Sequence, residues 1–365
     1  MRDLAPPHPR RSASLLRLGT LARAALLLWL LPRLALADPV PLHRGVNLTN
    51  WFRFPASTDA GALRGYIGDR ALADLRAAGF DFVRLAVDPA LGRHPTLIEA
   101  VRRIQRQGLT VIIVPHPPNW HLETSAADRA ALLGFWQEMS AALRPLDPAR
   151  TVAEVLNEPV FPNAPAAWAD LQRQVLQTIR RNLPHSTVIL TGQDWGSIGG
   201  LLAATPEPDP DVIYSFHFYD PAELTSLAAY RHDVDRATLM RLPFPVGEHC
   251  AVPAPDAPTR SLVDYYCAMH WNEALIGAAI AGAAGWARAH DVHLLAGEFG
   301  ATSELNLPAR LAWMRAVRTA LEANGIPWAL WGYDDIMGFA EPRPPGPRPH
   351  LDLDLLAALG LHTPL

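Results

Sequence analysis

The sequence predicts a single (β/α)8 barrel, and three observations carry that reading. Eight short apolar or β-branched runs alternate with longer amphipathic segments from residue 43 onward. Composition does not shift along that stretch, and the first run leads into Asn47-Leu48-Thr49-Asn50-Trp51 rather than into the glycine-rich turn of a doubly wound open sheet. The runs are 43–48, 82–87, 110–114, 152–156, 187–190, 212–216, 292–295 and 328–331. Near-continuous apolar runs of this kind are strands covered on both faces, as in a parallel barrel. Between them, 70–78, 96–107, 126–143, 166–182 and 307–323 carry apolar positions three and four apart and read as helices. Gly79, Gly108 and Gly325 stand where such helices stop and fit C-terminal caps. The glycine cluster Gly196-Ser197-Ile198-Gly199-Gly200 lacks nucleotide-site spacing and reads as a loop entering a short helix. Residues 230–260 read as a long excursion after the sixth strand, and 341–350 as a Pro-rich loop ahead of a short final helix.

Residues 1–37 are set apart as a signal peptide, leaving 38–365 as one domain. Arg2, Arg10, Arg11, Arg17 and Arg23 precede an apolar run at 24–31, and Ala35-Leu36-Ala37 supplies a cleavage site. Pro32 and Arg33 end the run well short of the ~20 residues of a spanning helix, so no stable membrane insertion is expected. The expected location is secreted or periplasmic by a Sec-type signal, with Arg10-Arg11 leaving a twin-arginine route open. All 32 basic residues are Arg, against 36 acidic ones. Without the six Arg and one Asp of residues 1–37, 26 basic and 35 acidic residues remain, about nine net negative charges, which argues against nucleic acid as a partner. The two cysteines, Cys250 and Cys267, are an even pair in an oxidising compartment and are expected to be bonded, two separate buried thiols being the alternative. Glu248-His249-Cys250 has no matching second half, so neither a metal nor a cofactor is expected.

Reactive side chains of such a barrel sit at the carboxyl ends of its strands. There the sequence places Arg84, His116, Asn157-Glu158-Pro159, His217-Phe218-Tyr219, Glu298 and Trp331. Glu158 and Glu298 end the fourth and seventh runs, from which side chains can face each other across the barrel mouth. That pairing suits glycosidic cleavage, which needs a protonated carboxyl for the leaving oxygen and an ionised one facing the anomeric carbon. Tryptophans in strand-end loops can carry the apolar faces of sugar rings. Trp331 is the leading platform; Trp51, Trp120 and Trp195 can extend a cleft or staple loops. Trp136, Trp168 and Trp313 lie in helical stretches and read as packing residues, and Asp334-Asp335 as a solvated loop.

Taken in order, Arg44-Gly45-Val46-Asn47-Leu48, Phe82-Val83-Arg84-Leu85, His116, Leu156-Asn157-Glu158-Pro159, His217-Phe218-Tyr219, Gly297-Glu298-Phe299-Gly300 and Trp331 resemble glycoside hydrolase family 5, the cellulases, mannanases and related β-glycanases. The resemblance implies that Glu158 is the general acid/base and Glu298 the nucleophile of a retaining double displacement, with the carboxyls about 5 to 5.5 Å apart. It further implies that Asn157 meets the sugar 2-hydroxyl, that Arg84 holds the nucleophile ionised, that His217 lines the subsite and that Tyr219 donates to Glu298. His116 departs from the family's Asp-x-His pattern, flanked as it is by Pro115, Pro117 and Pro118. The activity expected is hydrolysis of glucan-like or mannan-like poly- or oligosaccharides by a monomer, a cellulase-like endoglucanase first. A β-mannanase, an exo-β-glucanase and a non-catalytic carbohydrate-binding or export-accessory barrel are the alternatives. A zinc or serine hydrolase fails for want of a ligand set or a Gly-x-Ser-x-Gly elbow.

Overall fold

Eight parallel strands close on themselves in chain order: β1 (Arg44–Asn47), β2 (Phe82–Val87), β3 (Thr110–Pro115), β4 (Thr151–Glu154), β5 (Val188–Thr191), β6 (Val212–Phe218), β7 (His293–Phe299) and β8 (Trp328–Leu330). The closing pair sets Gly45 of β1 beside Ala329 of β8. The computed structural model describes residues 40–341 and 349–364, so the expected signal peptide and most of the Pro-rich loop lie outside the described residues. No helix among the described residues is long and apolar enough to cross a membrane.

Alternation along each strand sorts the interior into a floor and a mouth. Leu42, Phe82, Ile112, Val152, Ile189, Ile213, Leu295 and Ala329 pack together as an apolar floor. Two residues further along their strands, the inward positions become Arg84, Glu154, Thr191, Ser215 and Gly297, all buried. Outward positions such as Val83, Leu85, Val111 and Ile113 join the larger core beneath the helices. The strands are therefore buried on both faces, and a polar layer sits on an apolar plug that seals the barrel below it.

The predicted helices form at Asp69–Ala78, Pro95–Arg106, Ala126–Leu143, Pro165–Arg180 and Leu307–Ala323. Ser125 and Asn306 accept the free N–H groups of Asp128 and Ala309 at two of their starts. Gly79, Gly108 and Gly325 follow with left-handed φ of 111°, 79° and 65°, which L side chains rarely adopt. Ser197 caps the short helix Ile198–Leu202. Three strands run longer than the sequence predicts: β3 by one residue to Pro115, β6 to Phe218, and β7 to Phe299, where Gly297-Glu298 continues the strand as a bulge instead of ending it. The 230–260 excursion ends in a helix, Ala257–Ala268, and a second helix, Glu273–His290, follows where no element is predicted. The second is so rich in Ala and Gly that its polar and apolar faces barely differ.

Cys250 and Cys267 are joined, with Cα atoms 5.5 Å apart, and tether the 230–260 excursion to the helix Ala257–Ala268. Closing a loop of this length restricts the unfolded chain by about 3 kcal/mol in the chain-entropy view. Reduction is therefore expected to lower the melting temperature by several degrees, with Cys250→Ser/Cys267→Ser reproducing the shift and becoming insensitive to reductant.

Candidate active site

Arg84 fixes the geometry of the mouth. Its guanidinium is fully buried, and all five N–H donors are used. Nε and Nη2 form a fork on Glu154 (2.7 and 2.8 Å), Nη1 donates to Asn47 Oδ1 (2.9 Å) and Glu298 Oε1 (2.6 Å), and Nη2 also donates to Asn157 Oδ1 (2.9 Å). Burial works against the charge, but Glu154 and Glu298 outweigh it and raise the Arg84 pKa.

The seventh strand brings Glu298 inward by a break in register. Phe216 pairs with Ala296, but His217 pairs with Glu298, so the extra residue falls at Gly297. A Cβ at Gly297 would lie 2.5 Å from Ser215 Oγ and 3.4 Å from His217 Nε2, so any larger residue would have to displace the Ser215 hydroxyl. The carbonyl of Gly297 and that of Leu330 accept from Asn47 Nδ2, both at 3.1 Å. With Leu295 pointing into the floor and Phe299 out into the core, the bulge turns Glu298 towards the mouth.

Each oxygen of Glu298 is held. Oε1 takes Arg84, and Oε2 takes the Tyr219 hydroxyl at 2.9 Å with His217 Nδ1 at 3.3 Å. His217 Nδ1 also lies 2.9 Å from Glu158 Oε1, so one ring nitrogen bridges the two glutamates. Glu158 follows β4 in a left-handed conformation, φ 44°, a strain of order 1–3 kcal/mol for a non-glycine residue. It is the more open carboxylate, 25% exposed at its side chain against 3% for Glu298.

Burial pushes the Glu298 carboxyl up; His217 and Arg84 pull it down and Glu158 pushes it up again, leaving it raised. Arg84 acts on Glu298 in the direction the resemblance implies, and His217 pulls the same way. The arginine's single charge is also forked onto Glu154, so its pull on Glu298 is shared. Burial pushes the His217 ring down, but Glu298 and Glu158 overcome it and raise its pKa. Burial and the same two glutamates lift Tyr219 far above the usual phenol range, so it remains a hydrogen-bond donor.

Asn157 commits its carbonyl to Arg84, which leaves only its amide N–H groups for a ligand. His116 stands 3.4 Å from that amide and lies between the rings of Phe54 and Trp331, each 6.1 Å away. Burial, with Arg53, Arg84 and His217, pushes its pKa down to about 2, so the ring is neutral. Trp331 is half-buried at the mouth and precedes a cis peptide to Gly332. Trp120 and Trp195 line a groove of about 490 Å³ together with His116, Asn157 and Glu158, and Trp195 is 60% exposed.

Two expectations are corrected. Trp51 is 1% exposed, packed on Phe52 and Tyr66 with its indole N–H on the Leu63 carbonyl, so it staples the β1 loop and cannot reach a ligand. Asp334 and Asp335 are half-buried and not a solvated loop: they accept from Tyr66 and Thr49 and tie the β8 loop to the β1 side of the mouth. Sequence reasoning missed Asn47, Glu154 and the rim residue Phe54. Glu154 carried a signal, a lone carboxylate inside an otherwise apolar strand, which demands a buried cation. Glu158, His217 and Glu298 each offer a donor atom within 4.8 Å of the others, the spacing of a metal site. The set suits a cation poorly, because the Arg84 guanidinium already occupies Glu298 and His217 turns its protonated nitrogen to both carboxylates.

With this geometry in place, comparison with known proteins is decisive. The family profile Cellulase (glycosyl hydrolase family 5) matches residues 44–335. The chain belongs to glycosyl hydrolase family 5. Endoglucanase 3 of Fibrobacter succinogenes is 25% identical over 335 residues, covering 80% of this chain and 49% of its own length. The chain thus spans about half of that relative. Endoglucanase C of Acetivibrio thermocellus is 23% identical over 324 residues, covering 80% of this chain and 92% of its own. Thermotoga maritima Cel5A in complex with cellobiose shares the fold at a TM-score of 0.69 and 21% identity, over 87% of this chain and 97% of that one.

Two outcomes follow from the charge network. Glu154→Gln removes one of two anions competing for Arg84, so the proton affinity of Glu298 falls and the acidic limb of the kcat/KM profile is expected to move down by roughly one pH unit. Losing half of a buried pair also lowers stability, by up to about 3–5 kcal/mol. Because the His217 pKa is raised above the ~6.5 of an unfolded histidine, its ion-pair contribution is complete below about pH 6.5 and is lost as pH climbs through the folded-state value. The melting-temperature gap between wild type and His217→Gln is accordingly expected to narrow from pH 6 to pH 9.

Proposed function

We propose that the chain is an exported, retaining endo-β-glycanase acting on glucan-like chains, with Glu298 as nucleophile and Glu158 as general acid/base. One observation carries the reading: an oxygen of each glutamate and a ring nitrogen of His217 lie within 4.8 Å of one another at the barrel mouth. That is too close for the ~6.5–9.5 Å gap in which an inverting enzyme lodges water, and it suits direct attack. The endoglucanase names of the relatives and the Arg-rich, apolar residues 1–37 support the substrate class and the export.

The division of labour follows from the surroundings. Glu298 is buried and aimed by Arg84, Tyr219 and His217, so its free lone pair is presented in one direction, as attack on an anomeric carbon requires. Glu158 is open to the groove and can exchange protons with a leaving oxygen and then with water. In the first half-reaction Glu158 gives its proton to the glycosidic oxygen as the C–O bond breaks and Glu298 bonds to the anomeric carbon. In the second, Glu158 takes a proton from water, whose oxygen displaces Glu298 and restores both carboxyl groups. The Asn157 amide N–H faces the position of the sugar 2-hydroxyl, Trp331 offers the ring an apolar face, and Trp120 and Trp195 extend the groove past Glu158.

Glu298→Gln is expected to abolish turnover of soluble cellulose derivatives, and Glu298→Gly to regain it with added azide or formate. Glu158→Ala is expected to lose roughly 10²–10⁴-fold on polymer while sparing aryl glycosides with good leaving groups. Full activity in Glu298→Gln overturns the assignment.

A further inference from the structure

A second cavity of about 600 Å³ opens on the far side of Trp120 from Glu158. Trp120 and Pro118 line both spaces, so the β3 loop is the wall they share. The rest of this cavity lies between the turn after β2 and the helix Ala126–Leu143, with Phe135 and Met139 as buried floor. The helix keeps it open in an unusual way. Gly134 sits mid-helix, where glycine costs about 0.5–1 kcal/mol relative to alanine, yet a Cβ there would meet no atom within 4 Å. Gly134 lines the cavity, and its missing side chain leaves room there.

We propose that this cavity is a second carbohydrate site, taking a neutral pyranose unit of the same polysaccharide, remote from the bond cleaved. The inference rests on the glycanase reading for the identity of the polymer, though not for the existence of the site. An indole beside an apolar floor suits the C–H face of a pyranose. At the rim, Asn119 is exposed, and neither its amide nor the Trp120 indole N–H has a hydrogen-bond partner among the described residues. Arg93 and Glu138 neutralise each other across the edge, which leaves no excess positive charge for an acidic sugar. A chain or branch leaving the groove past Trp120 enters this space directly, so its occupancy adds affinity for long or branched substrates and none for short ones.

Gly134→Leu fills the cavity with a residue of higher helix propensity, so the fold is not put at risk. The ratio of kcat/KM for cellohexaose or a branched glucan to that for an aryl cellobioside is expected to fall about tenfold in Gly134→Leu, and to stay near wild type in Gly134→Ala. In parallel, the methyl resonance of Met139 in the intact protein is expected to shift saturably with cellohexaose and to lose that response in Gly134→Leu. An unchanged ratio with an unmoved Met139 methyl overturns the second site while leaving the hydrolysis intact. A Met139 shift in a protein that cleaves no β-glycan retains the site and overturns the proposed activity; neither signal overturns both.

Discussion

A charge that cannot leave the barrel interior organises this site. Burying a guanidinium above an apolar plug costs several kcal/mol unless every donor finds a partner. Arg84 finds five acceptors on four residues, drawn from β1, β4, β7 and the loop after β4. Each of those groups is thereby fixed relative to the others. One arginine defines where Glu298 and Asn157 stand, and Glu154 decides how much of its charge remains for them.

The catalytic reading depends equally on two departures from regular backbone. Without the bulge at Gly297, strict alternation would send Glu298 into the layer beneath the helices, where Phe299 now packs. Without the left-handed turn at Glu158, alternation would send that carboxylate to the side opposite Asn157 and away from His217. Both irregularities are held from the interior: Asn47 Nδ2 donates to the carbonyls of Gly297 and Leu330, and the backbone N–H of Asn157 donates to the carbonyl of Pro115. Strain at the mouth is thus stored against a rigid floor, which is what a site that must aim two acids at one atom requires.

Much of this was legible in the chain. Eight apolar runs gave the barrel, because strands buried on two faces cannot hide their composition, and the polar residues within or just after those runs marked Arg84, Glu158, His217, Tyr219 and Glu298. What stayed hidden were relations between strands. The alternation of β7 predicts Glu298 on the wrong face, and only the register with β6 reveals the bulge. Trp51 follows its strand as Trp120 follows its own, yet a four-residue helix turns it inward. Glu154 was visible as a charge in an apolar run, but its partner lies 70 residues away. The helix Glu273–His290 escaped because alanine covers both of its faces.

Everything proposed for the site reduces to a covalent step through Glu298, and stereochemistry reports that step without mutating anything. Proton NMR of the wild-type protein, followed during the first turnover of a soluble β-glucan oligosaccharide and faster than mutarotation, is predicted to reveal the β-anomer as the initial product. Initial accumulation of the α-anomer would mean that water attacks directly and that the closely spaced pair, Glu158 and Glu298, is not the reacting pair.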